Sequence, residues 1–385
     1  MFKVAVGHSV DPDSIEAIEE VLAQCQKTLG EDSPQAGIVF AATDFEHRDI
    51  LERIQTAYPG ILLVGGTSSA EMSSQAAFQQ DSLAVMLFCS DEITFSVGVG
   101  HGACDDEAAA AQDAIASANA PNMKLCYALC EGIGVDGMAL TQGLKAAIGR
   151  AVPVFGGFTA DDCRFEHTYQ FLGSEVMEGT VVVLTFSGNL NVSYGVATGQ
   201  IPIGRKATVT KSERYTLHEI DGQPAKQFYI DYFGEQKIKV AGNSRVSAIA
   251  VHEPDSDNFY LRSPHSENAE AGSVKYFSHV PEQSIIQLAS PSEDSLLQAA
   301  REAFEKAQVA YQGHEPSAAL IVSCVSRQRN LGTRITEEYK VAESFLGAEL
   351  PKLGFYSFGE ISPFTEETTP QFHNETFAAL LIGTN

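Results

Sequence analysis

Three short stretches of the chain share one pattern: GGTSSAEM (Gly65–Met72), GGFTADDC (Gly156–Cys163) and GFYSFGEI (Gly354–Ile361). Each opens on glycine, carries Ser or Thr three residues on (Ser68, Thr159, Ser357) and an acid six residues on (Glu71, Asp162, Glu360). The first two follow the apolar runs ILLV and VPVF, so they read as turns at strand ends. The flanking sequence repeats as well. FKVAVGHS alternates like a strand, SIEAIEEVLAQCQKTLG keeps helical spacing with acids in its first turn and a stop at Gly30, GIVFAA is a strand and HRDILERIQTAYPG a helix. VGVGHGACDDEAAAAQDAI restates VAVGHSVDPDSIEAIEEVL, with Gly100-His101 in the place of Gly7-His8. A third, diverged copy runs through AALIVSC, EEYKVAESFLGAEL and FAALLIG.

One supersecondary unit used three times, strand–helix–strand–turn–strand, cannot bury its apolar face alone, so the copies must pack on one another. Their spacing, about 90 residues between the first two, is too long for a solenoid. The expectation is an α/β protein of mixed sheets with helices on the outer faces, two sheets lying face to face. Residues 1–200 hold two copies, and residues 201–385 a third copy behind a region of different pattern; the seam falls near IPIG (Ile201–Gly204).

Net charge is −25 and hydrophobic content 44% over 385 residues. That excess of acid disfavours nucleic acid and anionic membrane surfaces, and no run of Lys or Arg offers a phosphate-binding groove. The longest apolar runs, LAVMLF and TVVVLTF, are strand-length, far short of the roughly 20 residues of a spanning helix. The N-terminus lacks a secretory leader, and Cys89, Cys126, Cys130 and Cys324 sit in apolar runs, so the expected compartment is the cytoplasm.

The turns admit several chemistries. A phosphate loop needs a Lys and a following helix; GGTSSAEM has neither. A nucleophilic Ser68 or Ser69 needs a base within reach, and the nucleophile-elbow pattern is absent here. Hydrogen bonds within the turn itself are the plainest role for the Ser/Thr and acid. The third copy is the better candidate for a binding surface. Tyr356 and Phe358 supply apolar wall and one hydroxyl, Arg327 follows a strand end and suits a carboxylate, and Glu360 or Asp161 suits an amine.

Over essentially its whole length the chain resembles the FIST family, a two-part sensory module. The residues that carry the resemblance are the glycine turns at Gly65 and Gly156, GQIPIG, HEIDGQPA (His218–Ala225), SCVSR (Ser323–Arg327), GFYSFGEI and FHNETF (Phe372–Phe377). The resemblance implies a ligand-sensing input module of prokaryotic signalling. Nothing in this sequence is left over to act as an output domain. The expected partners are therefore a small molecule, an amino acid or small carboxylate, and a separate signalling protein such as a histidine kinase or cyclic-dinucleotide enzyme. It also implies an alternative, a haem-based nitric oxide sensor, for which His373, His8 or His101 would be the axial ligand; a competing reading from another class is an enzyme acting on a small metabolite in the inter-domain cleft.

Overall fold

The computed structural model describes residues 1–149, 152–234, 247–254, 258–268, 272–364 and 370–384. The first unit runs β1 (Phe2–Ser9), α1 (Ser14–Leu29), β2 (Ala36–Ala41), α2 (His47–Ala57), β3 (Leu62–Thr67), a hairpin β4 (Glu71–Ser73) and β5 (Ala77–Gln79), then β6 (Leu83–Ser90). The second repeats it: β7 (Ile93–His101), α3 (Glu107–Ala118), β8 (Met123–Cys130), α4 (Gly137–Ile148), β9 (Val154–Phe158), β10 (Gln170–Leu172), β11 (Glu175–Met177) and β12 (Thr180–Gly188). After β13 (Asn191–Ala197) come β14 (Gln200–Glu213), β15 (Thr216–Ile220), β16 (Gln223–Pro224), α5 (Ala225–Phe233), β17 (Ile249–His252), β18 (Phe259–Arg262), β19 (Pro264–Asn268), β20 (Ser273–Tyr276) and β21 (Ile285–Pro291). The chain ends with α6 (Glu293–Ala310), β22 (Ala318–Cys324), α7 (Val325–Leu331), α8 (Thr336–Leu346), β23 (Lys352–Ser357), the hairpin β24 (Gly359–Pro363) and β25 (Pro370–His373), and β26 (Phe377–Gly383).

β14 to β21 form one eight-stranded sheet, and IPIG lies inside its long strand β14. The other strands form three six-stranded sheets with the orders β1-β6-β2-β3-β10-β11, β7-β12-β8-β9-β24-β25 and β13-β26-β22-β23-β4-β5. In each, the second and third strands are parallel across a helical crossover, and the closing strand runs antiparallel between the first and second. LNVSYGVATG follows TVVVLTF in sequence, yet β13 pairs with β26 at the end of the chain.

Each unit lends its hairpin to another unit's sheet. β4 pairs with β23, β10 with β3, and β24 with β9, so the exchange closes a ring. The inner faces of all three sheets build one core, with Phe40 stacked on Phe355 at 4.2 Å and Phe186 set edge-on to Phe88. Three sheets, not two, therefore face one another. Closing strands are apolar on both faces because both are buried. In β6, Ala84, Met86 and Phe88 face this core, while Leu83, Val85 and Leu87 face α1 and α2 outside.

Strand pairing corrects the alignment of the first strands. Gly7 pairs with Val85, Gly98 with Val183 and Gly195 with Ala379, equivalent places in the three sheets. The glycine is there for close approach of the first helix. A Cβ would lie 2.4 Å from the Val21 carbonyl oxygen at Gly7, 2.1 Å from that of Ala114 at Gly98, and 2.0 Å from that of Ala303 at Gly195. Gly98, two residues before Gly100, is thus the counterpart of Gly7, and His8 corresponds to Val99 rather than His101.

Candidate functional site

The three glycine turns meet. The Ser69 amide donates to the Tyr356 carbonyl at 3.2 Å, that of Ala160 to Thr67 at 3.0 Å, and that of Phe358 to Phe158 at 3.2 Å. Just beyond, each hairpin starts with one buried polar side chain. Glu71 pairs with Phe355, Gln170 with Gly66 and Glu360 with Gly157, which are matching positions of the three sheets. The counterpart of Glu71 in the second unit is therefore Gln170, not Asp162. A loop between Thr159 and Gln170 displaced it from the expected spacing. Counting back from the closing strand finds it: Glu71 binds Ser82, Gln170 binds Thr180, and Glu360 binds Thr376, each residue standing at or just before the start of that strand.

The three sites share one hydrogen-bond scheme. Gln170 accepts from the Thr180 amide at 3.0 Å and hydroxyl at 2.9 Å, which fixes its oxygen there. Its Nε2 then donates to Thr159 Oγ1 at 2.8 Å and to Glu131 at 3.3 Å. Glu360 accepts from the Thr376 amide at 3.0 Å and hydroxyl at 2.7 Å, and its other oxygen meets Ser357 at 3.1 Å. Glu71 lies between Ser68 and Ser82, and Ser82 and Ser73 each meet a ring nitrogen of His8 at 2.8 Å. Burial pushes Glu71 and Glu360 up to about 8 and His8 down to about 4, in each case favouring the neutral form. Ser68 meets Glu71, not an imidazole.

The remaining residues singled out from sequence divide into two groups. Arg327 and Tyr356 are both fully buried and meet at Glu338: Arg327 at 2.6 Å and the Tyr356 hydroxyl at 2.7 Å, with Ser323 at 3.0 Å. Arg327 spends its other donors on the carbonyls of Thr198 and Leu296. Sequence placed the two against a ligand; here they tie α7, α8 and β23 together. Asp161, Phe358 and His373 gather around a different place. The Asp161 carboxylate accepts from the amides of Phe165 (3.0 Å), Glu166 (2.7 Å) and His167 (3.3 Å). It thereby folds a loop in which Asp162, Cys163 and Phe165 all take positive φ, near 56–59°. Such strain in non-glycine residues concentrates at functional sites.

That loop lays Phe165 flat on Phe358, with ring centroids 4.9 Å apart. Phe358, Phe158, Phe277 and Phe372, with Gly132 and Gly137, line a narrow recess of about 10 Å³, room for about one water. The Phe372 ring fits only because its neighbours are glycines: a Cβ on Gly137 would lie 2.3 Å from it, and one on Gly359 2.5 Å. His265 stands edge-on to Phe165 and Phe277, with no partner for its Nδ1. Behind Phe372 lies Arg262, only 2% exposed, whose guanidinium carbon is 5.6 Å from the Phe372 centroid and 4.4 Å from that of Tyr260. Phe277 carries no local sequence signal; it comes from the eight-stranded sheet region and reaches the recess only in three dimensions.

Beside the recess, Glu375 takes φ 62° and accepts from Gln200 at 2.7 Å, Ser263 at 2.7 Å and Ser326. It links the FHNE segment to β14, to the β18–β19 junction and to α7.

Neither His8 nor His373 is free to hold haem. Both ring nitrogens of His8 are held by serines, and His373 Nε2 donates to the Ser362 carbonyl at 2.9 Å, with burial holding its pKa near 4. His101 is exposed at a strand end. Among the described residues, no cluster of three His, Cys, Asp or Glu could hold a metal ion, and no helix is long and apolar enough to cross a membrane.

An uncharacterised protein of Methanocaldococcus jannaschii, MJ1623, is 32% identical over 96 residues, which is 24% of this chain and 19% of that protein's length. Two solved structures of cyanuric acid hydrolase, one from A. caulinodans, superpose over 100% of this chain and 99–100% of theirs, at 10% and 9% identity and TM-scores of 0.40 and 0.37. The FIST N domain matches residues 35–223 and the FIST C domain residues 225–363. The chain belongs to the FIST family, whose domains are sensory domains of signal transduction.

Proposed function

We propose that the aromatic recess at Phe358 is the sensory pocket, that it takes a small molecule, an amino acid or small carboxylate, and that the protein passes the signal to a separate signalling protein. One observation carries this reading. Rings from the second unit (Phe158, Phe165), the third (Phe358, Phe372) and the eight-stranded sheet region (Phe277) converge on a single recess. Apolar walls with few polar groups are the usual make-up of a small-molecule site. A ligand there touches Phe372, three residues before Glu375, and so bears on the contacts that link the FHNE segment to the eight-stranded sheet. A histidine kinase or cyclic-dinucleotide enzyme reading that sheet is the fitting recipient.

The test is a thermal-shift screen of the purified protein against amino acids and small carboxylates. A ligand at 100 times its Kd adds about 2.7 kcal/mol. Phe358→Ala is expected to abolish the shift, whereas Ile285→Ala, at an exposed position on β21, leaves it intact. A ligand whose shift survives Phe358→Ala places the pocket elsewhere.

A further inference from the structure

We infer that Phe165 is the plug of this recess and that the loop from Asp161 to His167 is its gate. The inference rests on the recess being the sensory pocket. As it stands the recess has room for about one water, so a ligand enters only when a side chain leaves. The Phe165 ring is the one placed to leave. It lies flat on Phe358 at 4.9 Å between centroids, and meets Phe277 at 5.9 Å and His265 at 5.1 Å. Phe358 and Phe277 are walls of the recess, so this ring fills the space beside it that the ring of a ligand would take. The other walls are fixed. Phe158, Phe358 and Phe372 are 2–8% exposed and stand in or between strands. Phe165 is only partly buried and rides on a loop.

That loop is strained and lightly tied. Asp162, Cys163 and Phe165 hold φ of 56°, 59° and 56°, a region that costs any residue but glycine free energy. Asp162, Arg164, Glu166 and His167 are exposed. The ties to neighbouring elements are polar and lie at the rim. The Asp162 amide donates to Ser69 Oγ at 3.0 Å, the Cys163 thiol meets Arg329 of α7, and His167 faces Glu178 at 3.4 Å. Arg164 forks onto both oxygens of Asp44 at 2.7 and 2.6 Å, an ion pair in solvent, and such pairs contribute little. Opening relaxes the three positive φ angles and so offsets part of the lost ring stack. The gate is poised between two states, and a ring that replaces Phe165 on Phe358 tips it open.

Cys163 supplies the readout. Burial pushes its thiol up to about 11 and keeps it unreactive until the loop opens. Cys104 is exposed outside the loop, and Cys25, Cys126 and Cys324 are buried, so surface reactivity and global unfolding are read separately. The wild type, Asp44→Ala and Phe165→Ala are labelled with iodoacetamide and each thiol is followed by peptide mass spectrometry. Toluene, which supplies a ring and no charge, is titrated into the same proteins. Asp44→Ala is expected to label Cys163 about 2- to 5-fold faster, and Phe165→Ala roughly tenfold faster, with Cys104 unchanged and the buried thiols silent. Binding that waits on opening is weakened by the open fraction, so toluene affinity rises in Asp44→Ala by the same factor as the labelling rate. Cys163 labelling unchanged in both variants overturns the gate, and toluene binding to Phe165→Ala would then leave the pocket standing. Faster labelling in Asp44→Ala with unchanged toluene affinity separates loop from pocket and overturns the inference. Acceleration of the buried thiols together with Cys163 means unfolding rather than gating and also overturns it. Toluene binding to none of the three proteins overturns pocket and plug together.

Discussion

Arg327→Met is expected to cost the protein about 3–5 kcal/mol of stability, the usual loss when one member of a buried ion pair is removed. The change strands Glu338 in a sealed site with only the hydroxyls of Ser323 and Tyr356. It also unties the carbonyls of Thr198 and Leu296, which Arg327 holds at 2.7 and 2.8 Å. Replacing both charges, Arg327→Met with Glu338→Leu, is expected to recover most of the loss, because neither ion is then left unpaired. Urea unfolding of the two single variants and the double variant gives the coupling energy directly. Should Arg327→Met cost less than about 1 kcal/mol yet abolish ligand binding, the residue belongs to the pocket after all.

The second large effect is a change in pH dependence. Gln170 occupies the place of Glu71 and Glu360 with an NH₂ aimed at the turn hydroxyl and an oxygen aimed at the closing strand. A protonated carboxyl has that same arrangement of donor and acceptor; a carboxylate does not. The scaffold thus contains its own amide control, and it agrees with the direction in which burial moves both acids, from 4.5 up to about 8. The folded state therefore holds a proton on each acid that the unfolded state releases above its ordinary value. The stability linked to that proton is complete below about pH 4.5 and is lost as pH rises through about 8, at about 1.4 kcal/mol per pH unit for each group. Glu360→Gln and Glu71→Gln are expected to match the wild type at pH 5 and to exceed it by several kcal/mol at pH 9 in urea unfolding. A uniform loss at every pH would show instead that the carboxylates are needed ionised.

Much of the fold was legible because both faces of the closing strands are buried. LAVMLF, TVVVLTF and FAALLIG are unbroken apolar runs that spacing alone identifies. What misled was local mimicry. VGVG offers glycine at both 98 and 100, both close against α3, and only the pairing of Gly98 with Val183 decides which one is the counterpart of Gly7. Asp162 has the right spacing to copy Glu71, but the loop folded by Asp161 carries the chain on to Gln170 before the hairpin begins. Arg327 follows a strand end, as a ligand-binding arginine should, yet Glu338 on the next helix claims it. Nothing in the residues around Arg262 distinguishes it. It is buried between the rings of Tyr260 and Phe372, a setting that exists only once β18 has docked beside Phe372.

The exchanged hairpins also set the order in which the molecule can be completed. The amide of Lys352 in β23 bonds the Ser74 hydroxyl at the β4–β5 turn, 278 residues earlier in the chain. A nascent chain therefore carries β4 and β5 without their partner strand until its last tenth has been made. In the meantime β9 displays an edge that only β24 will cover. Such long-range closure is slow, and the waiting edges are sticky. Loss of the final strands by premature termination would not trim one unit. It would open two of the three seams at once and leave a ribosome product for chaperones and proteases rather than a shortened sensor.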